Sequence, residues 1–354
     1  MRITETTIPG LLIIDLNVHG DNRGWFKENW QREKLTELAP ELASFQPVQN
    51  NISYNHAGAT RGLHAEPWDK LVSVAHGKIF GAWCDLREGS ESFGEVVTHE
   101  VGPETAVFVP RGVANGFQAL EETSYCYLVN EHWSAEARYA AVNLNIVDWP
   151  LEPTEISEKD KQHPNLAEVS PMPARRILVT GANGQLGRAL KRLLADAEFC
   201  THADFDITNP PERNWKQYSA IINCAAYNDV NGAENDRAAA WAVNAEGPAK
   251  LARIAAENQI TLVHVSSDYI FDGANEVHSE EELPSPLSVY GASKAAGDTA
   301  AQTAPQHYVI RTSWVFGDGE NFMSTMRRLA AKGVEPKVIH DQRGRPTFAE
   351  DLAK

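Results

Sequence analysis

A tyrosine and a lysine four residues apart, Tyr290 and Lys294 in VYGASKAAG, follow a strand-like stretch, TLVHVSSDYIF, that delivers Ser266 and Ser267 near its end. If 289–297 is helical, residues four apart share a face, and the phenol and the ammonium meet there. Alone, such a pair is commonly just a solvated helix face. Upstream, however, ILVTGANGQLG sets Gly181, Gly184 and Gly187 between an apolar strand and an amphipathic helix. Glycines at that spacing allow a tight turn and let backbone N–H groups approach a pyrophosphate at the helix N-terminus. AIINCAAYNDV (220–230) ends in small residues against which a flat ring can pack. Together these pieces suit hydride transfer from a nicotinamide to a ketone. The alkoxide so formed needs a proton; a tyrosine titrates at about 10, and a neighbouring ammonium favours its phenolate. Tyr290 would donate that proton, Lys294 would tune it and hold the nicotinamide ribose, and Ser267 would hydrogen-bond the carbonyl oxygen.

A second group of reactive side chains lies far upstream. RGLHAEPWDKLVSVAHGK (61–78) carries Arg61, His64 and Lys70 beside a β-rich run. A single histidine on a strand is more often a packed structural residue than a ligand. Glu66 follows His64 at the spacing of a metal-binding pair, but PRGVANGF (110–117) has Asn115 where a further histidine would stand. Too few ligands remain for a metal set of the H-x-H kind. Acid–base chemistry with cationic support is what the stretch can offer.

The elements that must position these groups divide the chain in two. A length of 354 residues suggests two domains. Short β-rich runs punctuated by Gly, Pro and Asn fill the first 149 residues and predict an all-β sandwich or jelly roll. A proline-rich, charged stretch follows, of which 164–174 reads as a linker. From 175 onward, strands alternate with helices and predict a parallel α/β sheet. The predicted division is therefore 1–163, a linker 164–174, and 175–354. A net charge of −16 argues against nucleic acid or an anionic membrane as partner. The start MRITETTIPG lacks the pattern of a secretory signal, and no apolar run reaches the length of a membrane span. Cys84, Cys126, Cys200 and Cys224 are scattered and read as reduced thiols of a cytoplasmic protein.

The second half resembles the extended short-chain dehydrogenase/reductases, most closely the dTDP-4-dehydrorhamnose reductases. GANGQLG, NCAAYNDVNGAE, AVNAEG, SSDYIF, PLSVYGASKAAGD, RTSWVFG, NFMSTM and DQRGRPT occur in family order across 176–347. The resemblance implies a Rossmann fold with Ser267, Tyr290 and Lys294 as the catalytic trio. It places Gly181, Asn183, Gly184, Gln185, Leu186, Gly187, Asp206, Ala225, Ala226 and Tyr227 around the cofactor with Tyr290 and Lys294, and Trp314 and Gln342 towards the sugar. FCTHAD offers Thr201 and His202 where NAD-specific enzymes carry an acid, which implies NADPH, with NADH also accommodated. The chain stops at AEDLAK, whereas the family continues through further elements, implying an incomplete substrate lobe.

The first half resembles the dTDP-4-dehydrorhamnose 3,5-epimerases, metal-free cupins. GDNRGWFKENW, VQNNIS, RGLH, KLVSVAHGKIF, DLREGSESFGE, VPRGVANGF and WPLEPTEISEKDK follow that family's order. The resemblance implies His64 as the base that removes protons α to a C4 ketone, Lys70 stabilising the enolate and Tyr127 as the acid. Glu158 of SEKD is read as the carboxylate behind His64, and Arg23, Gln49, Asn51 and Arg61 as holding the nucleotide diphosphate. Gly81 and Asn115 depart from the family's pocket Asp and His together. The resemblance also implies a dimer through the cupin unit. The combined reading is a bifunctional enzyme of dTDP-L-rhamnose synthesis acting on a dTDP-sugar. Its alternatives are a first half that epimerises one carbon or only binds, a reductase for another dTDP-4-keto sugar, and a sugar-nucleotide sensor or scaffold.

Overall fold

The computed structural model describes residues 1–319, 321–336, 338 and 342–354. The chain divides into two compact units, Met1–Ala174 and Arg175–Lys354. The first unit is a sandwich of two antiparallel sheets. One has the order Arg2–Glu5, Leu12–Asp15, Thr105–Val109, Lys70–His76, Thr123–Val129, Gln49–Asn55; the other runs Ala140–Ala141, Thr60–Ala65, Val113–Ala119, Ile79–Asp85, Val96–Val101. Period-two patterning explains the outer strand Gln49–Asn55, whose side chains alternate between half-buried and exposed. Lys70–His76 instead begins with five buried residues, because it lies centrally and both its faces are covered.

Ile13, Val72, Val74, Trp83, Val107, Val113 and Phe117 fill the space between the sheets. The outer face of the first sheet is sealed by Leu35, Leu42 and Phe45, and that of the second by Val142, Leu144, Val147 and Met172. The predicted linker therefore needs correction. Met172 is fully buried, Leu166 and Val169 pack beside it, and Met172 N donates to the Leu86 carbonyl at 2.7 Å. Apolar residues between the prolines hold 164–174 against the sandwich, which outweighs the linker-like composition.

The second unit is a five-stranded parallel sheet in the order Glu198–Cys200, Arg176–Thr180, Tyr218–Asn223, Thr261–Ser267, His307–Thr312. Numbered along this unit the order is 2-1-3-4-5, so the winding reverses between the first and third strands. Ligands of open α/β sheets bind outside the carboxyl ends of strands at such a switch point. The candidate glycine turn leaves the first strand there, and Asn223 ends the third. Among the described residues no helix is long and apolar enough to cross a membrane.

Candidate functional site

In the first unit, the two sheets bring opposing chemistry to one cleft. His64 sits on Thr60–Ala65 of the second sheet, and its register partner across the strand pair is Asn115. The chain then crosses to the first sheet, where Lys70 opens Lys70–His76 and Tyr127 lies on the neighbouring Thr123–Val129. Arg61, His64, Lys70, Asn115, Tyr127 and Asp160 all line a cleft of about 510 Å³. An adjoining space of about 340 Å³ shares His64 and Tyr127 and adds Gln49, Asn51 and His163.

The carboxylate behind His64 is Asp160, and Glu158 is corrected. The helix Glu158–Lys161, capped by Ser157, turns Asp160 inward, and its Oδ1 accepts from His64 Nε2 at 2.8 Å. Its Oδ2 accepts from the Gly62 N–H at 3.1 Å. Burial pushes the Asp160 carboxyl up, but the hydrogen bonds from His64 and Gly62 outweigh it and hold it at about 2. Glu158, two residues earlier on a helix of 3.6 residues per turn, points to solvent and pairs with Lys161 at 2.7 Å. With Nε2–H committed to Asp160, the lone pair of a neutral His64 stands on Nδ1.

Lys70 is buried, with its Nζ 2.6 Å from Glu66 Oε1 and 4.9 Å from the centre of the Tyr127 ring. Burial raises the Tyr127 phenol, Glu66 adding to this and Arg61 opposing it, so Tyr127 carries its proton at neutral pH. Arg61 Nε donates to Asn55 Oδ1, while Gln49 Nε2 donates to Asn51 Oδ1. Arg23 is not brought to this group. It lies on the exposed hairpin Val18–Lys27, paired with Asp21, and lines neither space. The joint departure at Gly81 and Asn115 has a packing reason. A side chain at 81 would run into the Trp83 ring, whose indole N–H donates to Asn115 Oδ1 at 3.0 Å, and Asn115 Nδ2 donates to the Tyr125 hydroxyl. An uncharged hydrogen-bonded trio thus stands here, of which Asn115 and Tyr125 line the cleft and Trp83 lies buried behind them.

In the second unit, Gly181 has φ +71 and abuts the backbone of Cys224 and Ala225, so a β-carbon there would clash with the next strand's loop. Gly187 packs equally close to Gly181 and Ala182. Asn183 and Gly184 complete the turn, and Gln185, Leu186 and Gly187 open the helix Gln185–Leu193. Ala225, Ala226 and Tyr227 follow the third strand, where Asn223 Oδ1 accepts from Thr180 Oγ1 at 2.7 Å and from the Ala225 N–H at 3.2 Å. Asp206 accepts from the Thr208 N–H and hydroxyl, both at 2.8 Å. Thr201 donates to Asp204 from its N–H and hydroxyl, so an acid stands four residues beyond the strand end.

Ser288 caps the helix Val289–Ala301, which buries Tyr290 and Lys294. Ser267 lies close enough to the Tyr290 hydroxyl to favour its phenolate, with Ser267 Oγ accepting from the Tyr269 N–H at 3.2 Å, and Lys294 Nζ donates to the Val265 carbonyl at 2.7 Å. Lys294 does not lower the tyrosine as expected. Burial dominates and raises the Tyr290 phenol, while burial pushes Lys294 down to about 8. Tyr269 stands edge-on to Tyr290 with ring centres 5.6 Å apart, and Gln342 lies close enough to ease its phenol. Trp314 has φ +34, an uncommon backbone state outside glycine, and packs against Gly344.

Residues 175–354 match the family described as RmlD substrate binding domain, and residues 5–168 match dTDP-4-dehydrorhamnose 3,5-epimerase. A Protein RmlC homolog of Streptococcus pyogenes is 51% identical over 47% of this chain and 89% of its own length. The dTDP-4-dehydrorhamnose reductase of Mycobacterium tuberculosis is 43% identical over 51% of this chain and 64% of its own. The solved RmlC of Streptococcus suis, in complex with dTDP-D-xylose, shares 46% identity over 49% of this chain and 94% of that one, with a TM-score of 0.46. The chain belongs to both families. It spans just under two thirds of the length of the reductase relative.

Three participants escaped the sequence reading. In the epimerase-family unit these are Asp160, visible two residues from the one chosen, and His163, whose ring stands edge-on to His64 at 5.0 Å between centres. In the RmlD-family unit, Asn244 of AVNAEG accepts from the Tyr227 N–H and donates to the Tyr227 carbonyl and to Ser293 Oγ, tying the loop after the third strand to the Tyr290 helix. Its one signal along the chain is the asparagine of the family stretch AVNAEG.

Behind Lys294, His264 is fully buried and its Nδ1 accepts from Asn223 Nδ2 at 3.1 Å. Burial, with Lys294 adding repulsion, holds its imidazole at about 3. The folded value lies below that of an unfolded histidine, so the unfolded chain takes up a proton as pH falls through about 6.5, while the native one waits until about 3. Stability is lost across that window, by about 2–3 kcal/mol between pH 7 and pH 4.5. Hydrogen exchange in the strand Thr261–Ser267 should show this loss, and His264→Gln should flatten its pH dependence. An unchanged slope in the variant would exclude His264 as the cause.

Proposed function

We propose that the chain performs two consecutive reactions on a dTDP-sugar. The first unit epimerises dTDP-4-keto-6-deoxyglucose at C3 and C5, and the second reduces the C4 ketone with NADPH to give dTDP-L-rhamnose. The observation that carries this reading is the His64–Asp160 pair facing Lys70 and Tyr127 in one cleft. His64 Nδ1 removes the proton α to the ketone, the Lys70 ammonium moves from Glu66 towards the enolate oxygen, and Tyr127, protonated at neutral pH, returns a proton to carbon. Arg61, Gln49 and Asn51 hold the nucleotide end.

In the second unit the glycine turn supports a dinucleotide whose nicotinamide supplies the hydride. Ser267 and Tyr290 hold the ketone oxygen, and Tyr290 gives it a proton. NADPH is favoured because Thr201 and His202 directly follow the second strand, where an acid would repel a 2′-phosphate. A cytoplasmic location and a cupin-mediated dimer accompany this reading.

Incubation with dTDP-4-keto-6-deoxyglucose in D2O, with and without NADPH, tests both steps by NMR of the sugar protons. Deuterium enters C3 and C5 without cofactor, and NADPH oxidation follows exchange. Deuterium at one carbon alone would replace the first step by a single-site epimerisation, and none would remove it.

A further inference from the structure

We infer that His64, Asp160 and His163 form a binding site for a zinc-class divalent cation, and that occupation of this site silences the first unit. Its metal-binding half is independent of the proposed function; the silencing rests on His64 being the base.

The three side chains converge although 96 residues separate His64 from Asp160. Their ligand atoms all lie within 4.8 Å of one another. Metal–nitrogen and metal–oxygen bonds of about 2.0–2.1 Å set tetrahedral ligands roughly 3.3 Å apart. The separations here, 2.8 Å from His64 Nε2 to Asp160 Oδ1 and 3.8 Å from Asp160 Oδ1 to His163 Nε2, fall on either side of that value. Small rotations of two rings about a carboxylate already anchored by the Gly62 N–H reach it.

His163 supplies the independent observation. Its side chain is only 7% exposed, and both ring nitrogens are buried without a well-formed hydrogen bond. Burying such groups unsatisfied costs free energy, so the arrangement needs a reason, and a cation supplies one. His64, with a side chain 39% exposed, leaves the cleft side open for a fourth ligand such as water. Two imidazoles and one carboxylate select zinc, copper or nickel over magnesium and calcium, which require oxygen-rich sets.

Silencing follows from proton bookkeeping on His64. Without metal, Nε2–H donates to Asp160 and Nδ1 carries the lone pair. A cation at Nε2 takes that nitrogen's lone pair, so the ring's single proton moves to Nδ1. The ring remains neutral, yet the nitrogen that would accept the substrate proton is now a donor. The metal therefore competes with catalysis by exchanging tautomers, without displacing the residue.

Zinc titrated by calorimetry into the chelator-treated full chain tests the site. One tight site per chain is expected in the wild type, weakened on the order of tenfold or more in His163→Gln, since loss even of an outer-shell partner costs 10–100-fold. Magnesium and calcium give no such binding. Imidazole 15N NMR of the wild type, which needs no folded variant, should show zinc shifting the ring nitrogens of His64 and His163. Unchanged zinc affinity in a folded His163→Gln, or shifts confined to other histidines, would overturn the site. Deuterium incorporation into substrate should cease on adding zinc and return with chelator. Exchange that continues at saturating zinc would overturn the silencing. Absence of exchange even in chelator would instead strike the epimerase reading and leave calorimetry to judge the metal.

Discussion

Asp160→Asn lowers deuterium incorporation into dTDP-4-keto-6-deoxyglucose by on the order of 10²–10⁴-fold, the range of a general acid–base contribution, while Glu158→Gln stays within about twofold. Both are carboxylates of one short helix, and both become neutral amides. They differ in where the helix points them. Asp160 is 7% exposed and accepts from His64 Nε2–H and Gly62 N–H through separate oxygens. Held at about 2, it stays anionic throughout the neutral range. Its charge stabilises the imidazolium formed when His64 takes a proton, and its acceptor fixes which ring nitrogen is free. An asparagine removes the charge and can present N–H to the ring, favouring the tautomer with its proton on Nδ1. Glu158 is exposed and pairs with Lys161. Substrate affinity, read by calorimetry with an inert dTDP-sugar, should change little in either variant, so the loss appears in turnover. Equal losses in the two variants, or none in Asp160→Asn, would detach the carboxylate from the reaction.

The contrast between these two positions also measures what the amino-acid sequence makes legible. Strand-rich texture before 150 and strand–helix alternation after 175 announced the two architectures, because burial periodicity is local. Tyr290 and Lys294 were legible for the same reason: one helix turn separates them. The partner of His64 was not, since which residue of SEKD faces inward depends on the turn by which a distant segment lands on Thr60–Ala65. His163 was invisible for that reason too, and counting ligands near H-x-E overlooked it. The proline-rich stretch 164–174 was misread because composition shows a backbone's preference and not what Met172 finds to pack against. Gly81 and Asn115 read as losses along the chain; in space they are the room and the acceptor that Trp83 uses.

Tyr290→Phe should slow NADPH oxidation by the epimerised ketone on the order of 10²–10⁴-fold, with NADPH binding retained. The glycine turn and the helix Gln185–Leu193 proposed to hold the pyrophosphate are separate from the phenol, so cofactor affinity, followed by fluorescence, is the internal control. Reduction requires a protonated tyrosine, and burial raises Tyr290 above its ordinary value, so the acid form prevails at neutral pH. Lys294 works in the opposite direction along the pH axis. Its ammonium, pushed down to about 8 by burial, loses its proton as pH rises through that value. Single-turnover reduction in the wild type should therefore be level near pH 7 and fall above about pH 8, and Lys294→Met should remove that limb together with much of the rate. Ser267→Ala should cost less, about tenfold, since it removes one neutral hydrogen bond of about 1–1.5 kcal/mol and leaves the acid in place. Tyr290→Phe turning over within threefold of the wild type would mean that another group protonates the alkoxide. A wild-type limb placed well away from pH 8 would mean that the charge controlling the rate is not Lys294.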